Sequence, residues 1–401
     1  MVSPLLFVVP LLLSGITGEL HVRFEWKYID YVWKNSEHKQ KAVDSGDYNY
    51  TKIFPIDVDR SRDGRVFVTT PRYDGVPASL SLVSNLQGEG GPLLRPYPDW
   101  SWHQKGNCTT ITSVWRVAMD ECNRLWVMDS GRYGEDLICD PQILVFDLAD
   151  DSLVKRIAIP SQYARNPVDG SSQIITIALE TRGACCERTW IFMADVEGFG
   201  LVVSDNGERF ARFNDTSFTP DPKYTNFTIL GQKFYQPDGL FSLAVQPKKR
   251  FADTSRLFYR PLASLSQYYA STRQLIGDLH MPSSKAKFQR FNYTYPSQVS
   301  IQAFSSDGIL FTGCTSPPSI LCWNSRKPFN EQNVVTIARN DETLQFTSAI
   351  KIKDREMWAF TIRYQKIATG TQNFSEINYR IVIEHDIRNL VKNSACTAAY
   401  R

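Results

Sequence analysis

A two-strand unit recurs six times along the chain: an apolar or alternating strand, a polar turn containing Asp, Gly or Arg, and a second strand opening on a bulky apolar pair. The first copies read FPIDVDRSRDGRVFVTTPR (residues 54–72) and SVWRVAMDECNRLWVMDSG (113–131). The later ones are IITIALETRGACCERTWIFMADV (174–196), LFSLAVQPKKRFADTSRLFYRPL (240–262), SIQAFSSDGILFTG (300–313) and SAIKIKDREMWAFTIR (348–363). Their second-strand anchors, Phe67, Trp126, Ile191, Phe258, Phe311 and Trp358, follow one another at intervals of about 45 to 70 residues. Each interval leaves room for two further strands, the content of one four-stranded propeller blade. Alternation rich in Val, Ile, Phe and Trp points to antiparallel strands, and long helical periodicity is scarce. The pattern predicts an all-β chain folded as a six-bladed β-propeller. A pair of β-sandwiches, the competing architecture, accommodates six similar units less naturally.

The first residues, MVSPLLFVVPLLLSGITGEL, hold an apolar run from Leu5 to Leu13 followed by small residues up to Gly18. That layout predicts a signal peptide over residues 1–18, although no charge precedes Leu5, and a buried N-terminal strand is the alternative. Residues 19–401 then form a single propeller domain. The run from Leu5 to Leu13 is too short to span a bilayer and no later stretch approaches about 18 uninterrupted apolar residues, so no membrane span is expected. Eight cysteines in 401 residues fit a few disulfide staples on a large domain in an oxidising compartment. Sequons stand at Asn49, Asn107, Asn214, Asn226, Asn292 and Asn373, in keeping with a secreted, extracellular glycoprotein. A net charge of +3 argues against a nucleic-acid partner, and Lys248-Lys249-Arg250 reads as a solvated turn.

In a propeller blade the inner strand leaves the ligand-bearing face and the second strand returns to it. Residues ending the second strands therefore gather at the channel mouth: Arg72, Asp129, Asp195, Arg260 and Arg363. Ser113 and Ser348, which start inner strands, share that face. Asp129 and Asp195 are candidates for acid/base work or for calcium, with Arg72 or Arg363 holding an anionic substrate. The alternative is that both carboxylates hydrogen-bond the backbone at strand ends. Trp115, Phe241, Phe360 and Tyr364 are candidate stacking surfaces for a planar or cationic ligand, although most aromatics on inner strands are packing residues. The sequence has no P-loop, GxSxG or zinc-hydrolase motif, and its five histidines are scattered. Neither a metal centre nor a cofactor is expected.

An ordered set of segments resembles the insect yellow / major royal jelly family. They are FEWKYIDYVW (24–33), RVFVTTPRYDGVPASL (65–80), PYPDWSWH (96–103), TSVWRVAMDECNRLWVMDSG (112–131), DVEGFGLVVSD (195–205) and CWN (322–324). The resemblance implies a six-bladed propeller and a secreted protein linked to cuticle pigmentation, melanin or secretions. Some members of the family are similar to dopachrome-converting enzymes, salivary relatives bind biogenic amines in the channel, and royal jelly members serve as nutritive or assembly proteins. Carried over by alignment, the amine-binding positions fall on Ser348, Ile362 and Tyr364, with Arg363 and Phe241 beside them. Ile362 lacks the polar group that the amine binders carry as Asn, and Arg363 would repel an ammonium. The family pattern also implies disulfides Cys108–Cys139, Cys322–Cys396 and Cys122 with Cys185 or Cys186. The expected partner is a small aromatic, catechol- or amine-derived molecule. Dopachrome tautomerase or decarboxylase activity, a calcium-dependent lactonase and a storage or assembly role remain as alternatives.

Overall fold

The computed structural model describes residues 19–183, 186–247, 255–281 and 286–397. The segment 1–18 expected to be a signal peptide, the cluster Lys248-Lys249-Arg250 and Cys185 lie outside the described residues. Six four-stranded antiparallel sheets form the blades of a propeller. Their inner strands are Asp57–Arg60, Val114–Met119, Ile174–Arg182, Leu240–Val245, Val299–Phe304 and Phe346–Lys353. The second strands are Val66–Thr69, Arg124–Asp129, Arg188–Asp195, Arg256–Pro261, Ile309–Thr315 and Glu356–Ile362. Each inner strand pairs with its own second strand, so all six sequence units are blade cores.

The apolar residues collect between neighbouring blades rather than in one central mass. Phe67 packs with Val114 and Leu125 between the first and second blades, and Trp126 with Ile177 and Ile191 between the second and third. Phe258 lies with Leu310 and Trp323 between the fourth and fifth. Phe311 lies with Ile350 and Met357 between the fifth and sixth. All six anchors are buried. A sheet face left bare would expose a strip of Val, Ile and Phe, and stacking six blades in a closed ring covers every such face.

The ring closes through the N-terminal strand His21–Trp26, which pairs antiparallel with Tyr379–Glu384 and becomes the outermost strand of the sixth blade. Trp26 is its anchor: fully buried, stacked 6.1 Å from Phe360, and donating its indole N–H to Pro92 O at 2.7 Å. That bond crosses to the first blade, so one side chain joins both sides of the seam.

Among the described residues three disulfides brace the outside: Cys108–Cys139, Cys122–Cys186 and Cys322–Cys396. The first joins the approach to the second blade to a loop over it. The second ties the turn of the second blade to that of the third. The last ties the C-terminal segment to the fifth blade. Cys314 is buried as a free thiol. Among the described residues no helix is long and apolar enough to cross a membrane, and no group of three or more His, Cys, Asp or Glu is placed to hold a metal ion.

Candidate functional site

The structure shows why side chains that end second strands need not face the channel. Asp129 has no exposed surface and accepts backbone N–H groups from Thr112 (2.9 Å), Ser113 (2.8 Å) and Gly131 (3.1 Å), with a fourth bond from Gln142. Asp195 repeats the arrangement one blade on, accepting from Gln173 at 2.6 Å and Gly198 at 2.9 Å, and pairing with Arg212 at 2.8 Å. In both, the carboxylate clamps the residues that lead into its own blade's inner strand. Burial raises both pKa values and the hydrogen bonds oppose the rise. These carboxylates are therefore held as strand-end clamps, the backbone-bonding alternative read from the sequence, with no open approach for a substrate.

The basic candidates divide in the same way. Arg72 is buried, its guanidinium donating to Val76 O and His103 O beneath the Tyr133 ring. Arg260 is buried and donates to Val299 O and to Gln267 and Gln302, pinning the fourth blade to the fifth. Arg363 stands at the mouth in an ion pair with Glu376, which Lys366 also contacts at 3.0 Å. Ser348 is buried and gives its hydroxyl to Phe360 O, and Ile362 sits in the apolar core. Phe241, only 5% exposed, carries the Arg116 guanidinium 4.8 Å above its ring.

Tyr364 is the family-implied position that does reach a polar network at the mouth. Its hydroxyl donates to Gln236 Oε1 at 2.8 Å, and Gln236 donates in turn to Asp238 Oδ1 at 2.5 Å. The Tyr364 ring packs on Phe346 and edge-on to Phe234. Asp238 is half-buried, and burial lifts its pKa to about 6, with the Glu197 charge adding to the rise against the Gln236 bond. Neither Gln236 nor Asp238 was singled out in the sequence. Both lie in the connection between third and fourth blades, just before the inner strand at Leu240, and have no repeat-equivalent that would mark them.

A cavity of about 860 Å³ opens on this face. Its wall combines the rings of Phe54, Tyr73, Tyr133 and Phe374 with the charges of Lys52, Asp74, Lys105, Glu135 and Asp136. Lys105 is already engaged, 3.2 Å from Asp74 and 4.0 Å over the Tyr133 ring. The hairpin of Arg132–Tyr133 and Asp136–Leu137 supplies one side. Its course depends on Gly131, at φ 71°, where a Cβ would meet Cys139 O at 2.0 Å. Gly134 N–H bonds Arg72 O, and Arg132 bridges to Glu197 at 2.6 Å, so the buried Arg72 positions the hairpin. Tyr73 lies 5.9 Å from Phe54, and burial pushes its pKa up to about 12 with the carboxylates of Glu135, Glu197 and Asp238 adding to the rise.

These features define a disulfide-braced six-bladed propeller with an aromatic, acid-rimmed cavity at its channel mouth. The profile of the major royal jelly protein family matches residues 112–396. Major royal jelly protein 9 of Apis mellifera is 38% identical over 395 residues, covering 94% of this chain and 89% of the relative. Major royal jelly protein 7 of the same bee is 36% identical over 401 residues, covering 96% and 88%. The chain belongs to the yellow / major royal jelly protein family. Among solved structures, an α-L-arabinanase of Penicillium chrysogenum superposes with a TM-score of 0.50 at 11% identity, over 91% of this chain and 98% of that one, a likeness of fold alone.

Proposed function

We propose that this family member is a secreted protein that binds a small aromatic, catechol- or amine-derived molecule at the channel mouth, in a pigmentation or secretion pathway. The observation that carries the reading is the pairing of ring faces with carboxylates around one cavity. Phe54 and Tyr73 offer surfaces for a planar ring, and Glu135 and Asp136 offer charge for an ammonium group. Arg363 is paired with Glu376, which it shares with Lys366. Secretion is supported by the leader-like residues 1–18, by the three disulfides, and by the sequons, of which only Asn107 is half-buried and the rest exposed.

Calorimetry with dopamine and dopa tests this reading. Saturable heat is expected at pH 7, weakened at least about tenfold by Tyr73→Ala, which removes a ring worth on the order of 1 kcal/mol or more. Asp238 does not line the cavity but its charge is felt at Tyr73 in the wall, so binding of dopamine should also weaken between pH 7 and 5 as Asp238 gains its proton and its longer-range attraction for the ammonium is lost. No heat with either compound would sink the proposal. The same carboxyl, poised near pH 6, favours a second reading in which the bound ring is turned over as dopachrome. Loss of absorbance decay in Asp238→Asn, with the heat of catechol, which carries no ammonium, retained, would separate turnover from carriage.

A further inference from the structure

Beside the mouth cavity lies another of about 570 Å³, and the two share Lys52 and Asp74. The rings of Tyr28, Tyr48 and Tyr50 form much of its wall, together with Val43 and Gly75. Tyr28 and Tyr50 lie 4.5 Å apart, the first half-buried and the second exposed. The wall carries two charges of each sign, Asp30 and Asp74 against Lys39 and Lys52, and Lys39 is paired with Asp30 at 2.6 Å. Open rings edged by hydrogen-bonding groups, with the charges in balance, suit a neutral sugar. Its C–H faces pack on the rings and its hydroxyls bond the polar edge.

Asn49 is itself part of this wall, exposed, and the first residue of the sequon Asn49-Tyr50-Thr51. Its backbone N–H bonds Gly75 O at 2.9 Å, and a Cβ at Gly75 would come within 2.9 Å of the Asn49 Cβ, so the glycine lets the asparagine seat against the wall. Its Oδ1 accepts the Thr51 N–H at 3.0 Å and the Thr51 hydroxyl at 2.7 Å, capping the short helical turn Tyr50–Lys52. The side chain is thereby held in one orientation, and its Nδ2 makes no hydrogen bond among the described residues. Two other sequon asparagines differ: Asn107 donates its Nδ2 to Gln104 Oε1, and Asn373 donates to Glu376 Oε1.

We propose that this cavity is a carbohydrate subsite filled by the chain's own glycan, attached at Asn49 Nδ2, with its first sugars laid across Tyr28 and Tyr50. In the attachment Nδ2 loses one proton and bonds to the anomeric carbon of a lipid-linked oligosaccharyl pyrophosphate. The bond from that carbon to the pyrophosphate breaks, and the lipid pyrophosphate leaves with the electron pair. Because the tether starts in the wall, the sugar meets the rings at the high effective concentration of an intramolecular partner, which a free saccharide lacks. The proposal rests on secretion, as read above, and not on ligand binding at the mouth.

The full chain expressed in insect cells, followed by glycopeptide mass mapping and hydroxyl-radical footprinting, tests the site. Asn49 should carry a glycan, and Tyr28 and Tyr50 should oxidise more slowly than in Asn49→Asp, which keeps the capping oxygen but cannot be glycosylated. Stripping the folded wild type with a peptide N-glycosidase should remove the protection of both tyrosines in the same way. Asn292→Asp, on the outermost strand of the fourth blade, should leave it intact. Equal oxidation of the two tyrosines with and without the Asn49 glycan would overturn the proposal, since the sugar would then project into solvent. A bare Asn49 on a chain glycosylated at other sequons would also overturn it while leaving secretion standing. A chain retained in the cells with every sequon bare would overturn both.

Discussion

His103 illustrates how a buried residue outside the cavity wall can govern the protein's response to pH. It is buried, with its Nε2 placed to donate to Tyr97 O at 3.1 Å and its Nδ1 to accept Ser79 N–H at 3.3 Å. Burial, with the nearby Arg72 charge, lowers its pKa to about 3. The unfolded chain takes up a proton near the ordinary value of about 6.5 while the folded chain does not. Stability from this group is therefore complete above that pH and is lost as pH falls toward 3, by about 1.4 kcal/mol for each unit below 6.5. Asp238 acts in the opposite sense: its folded pKa is raised from 3.8 to about 6, so the folded state holds the extra proton and stability declines as pH rises across that window. Comparing wild type with His103→Gln isolates the histidine. Urea unfolding at pH 7 and 5.5 should show a drop in the wild type that shrinks by about 1 kcal/mol in the variant. An equal drop in both proteins would show that the imidazole is not the group responsible. Chain position placed Asp129, Asp195 and Arg72 at the correct end of their blades. For the two carboxylates the backbone-bonding alternative read from the sequence is the arrangement found, whereas the burial of Arg72 was not legible, because its partner His103 O is brought near only by the fold.

At the scale of elements, the strand-turn-strand units were readable because burying both faces of a blade requires apolar residues at regular intervals, and that requirement is local. The closing strand obeys the same rule. Val22, Phe24 and Trp26 alternate with Arg23 and Glu25, giving a period-two strand that the family-like segment FEWKYIDYVW overlaps. Its partner, at Tyr379–Glu384, lies at the other end of the chain, and no periodicity encodes that pairing. Backbone bonds from Lys27 to Gly90 O and between Leu94 and both Asp30 and Val32 hold the seam, as does the Tyr379 hydroxyl on Ile53 O, and Trp26 contributes both the stacking on Phe360 and the bond to Pro92 O. Trp26→Ala should destabilise the protein by about 3–5 kcal/mol, the range for removing a large buried aromatic. Chemical denaturation would measure it. A loss below about 1 kcal/mol would mean that the N-terminal strand contributes little to holding the ring shut.

For the whole molecule, a closed ring has a weakness that a single-core domain lacks: opening one seam exposes two blade faces at once. The N-terminal strand secures the sixth blade from one side. Cys322–Cys396 works from the other, fixing the short helix Ile387–Val391 so that Ile387, Leu390 and Val391 stay packed against the fifth and sixth blades. The bridge closes a sequence separation of 74 residues, long enough for the unfolded chain to lose on the order of 4 kcal/mol of conformational freedom. The Cys322→Ala/Cys396→Ala double variant should therefore be less stable by about 2–4 kcal/mol. The mouth cavity is built by loops at the first, second and sixth blades and contains neither cysteine, so ligand heat at 20 °C should be unchanged in the variant while its melting temperature falls. If heat and melting temperature fell together, the fifth-blade fastening would be coupled to the mouth through the ring, and the site would have to be treated as a property of the closed ring.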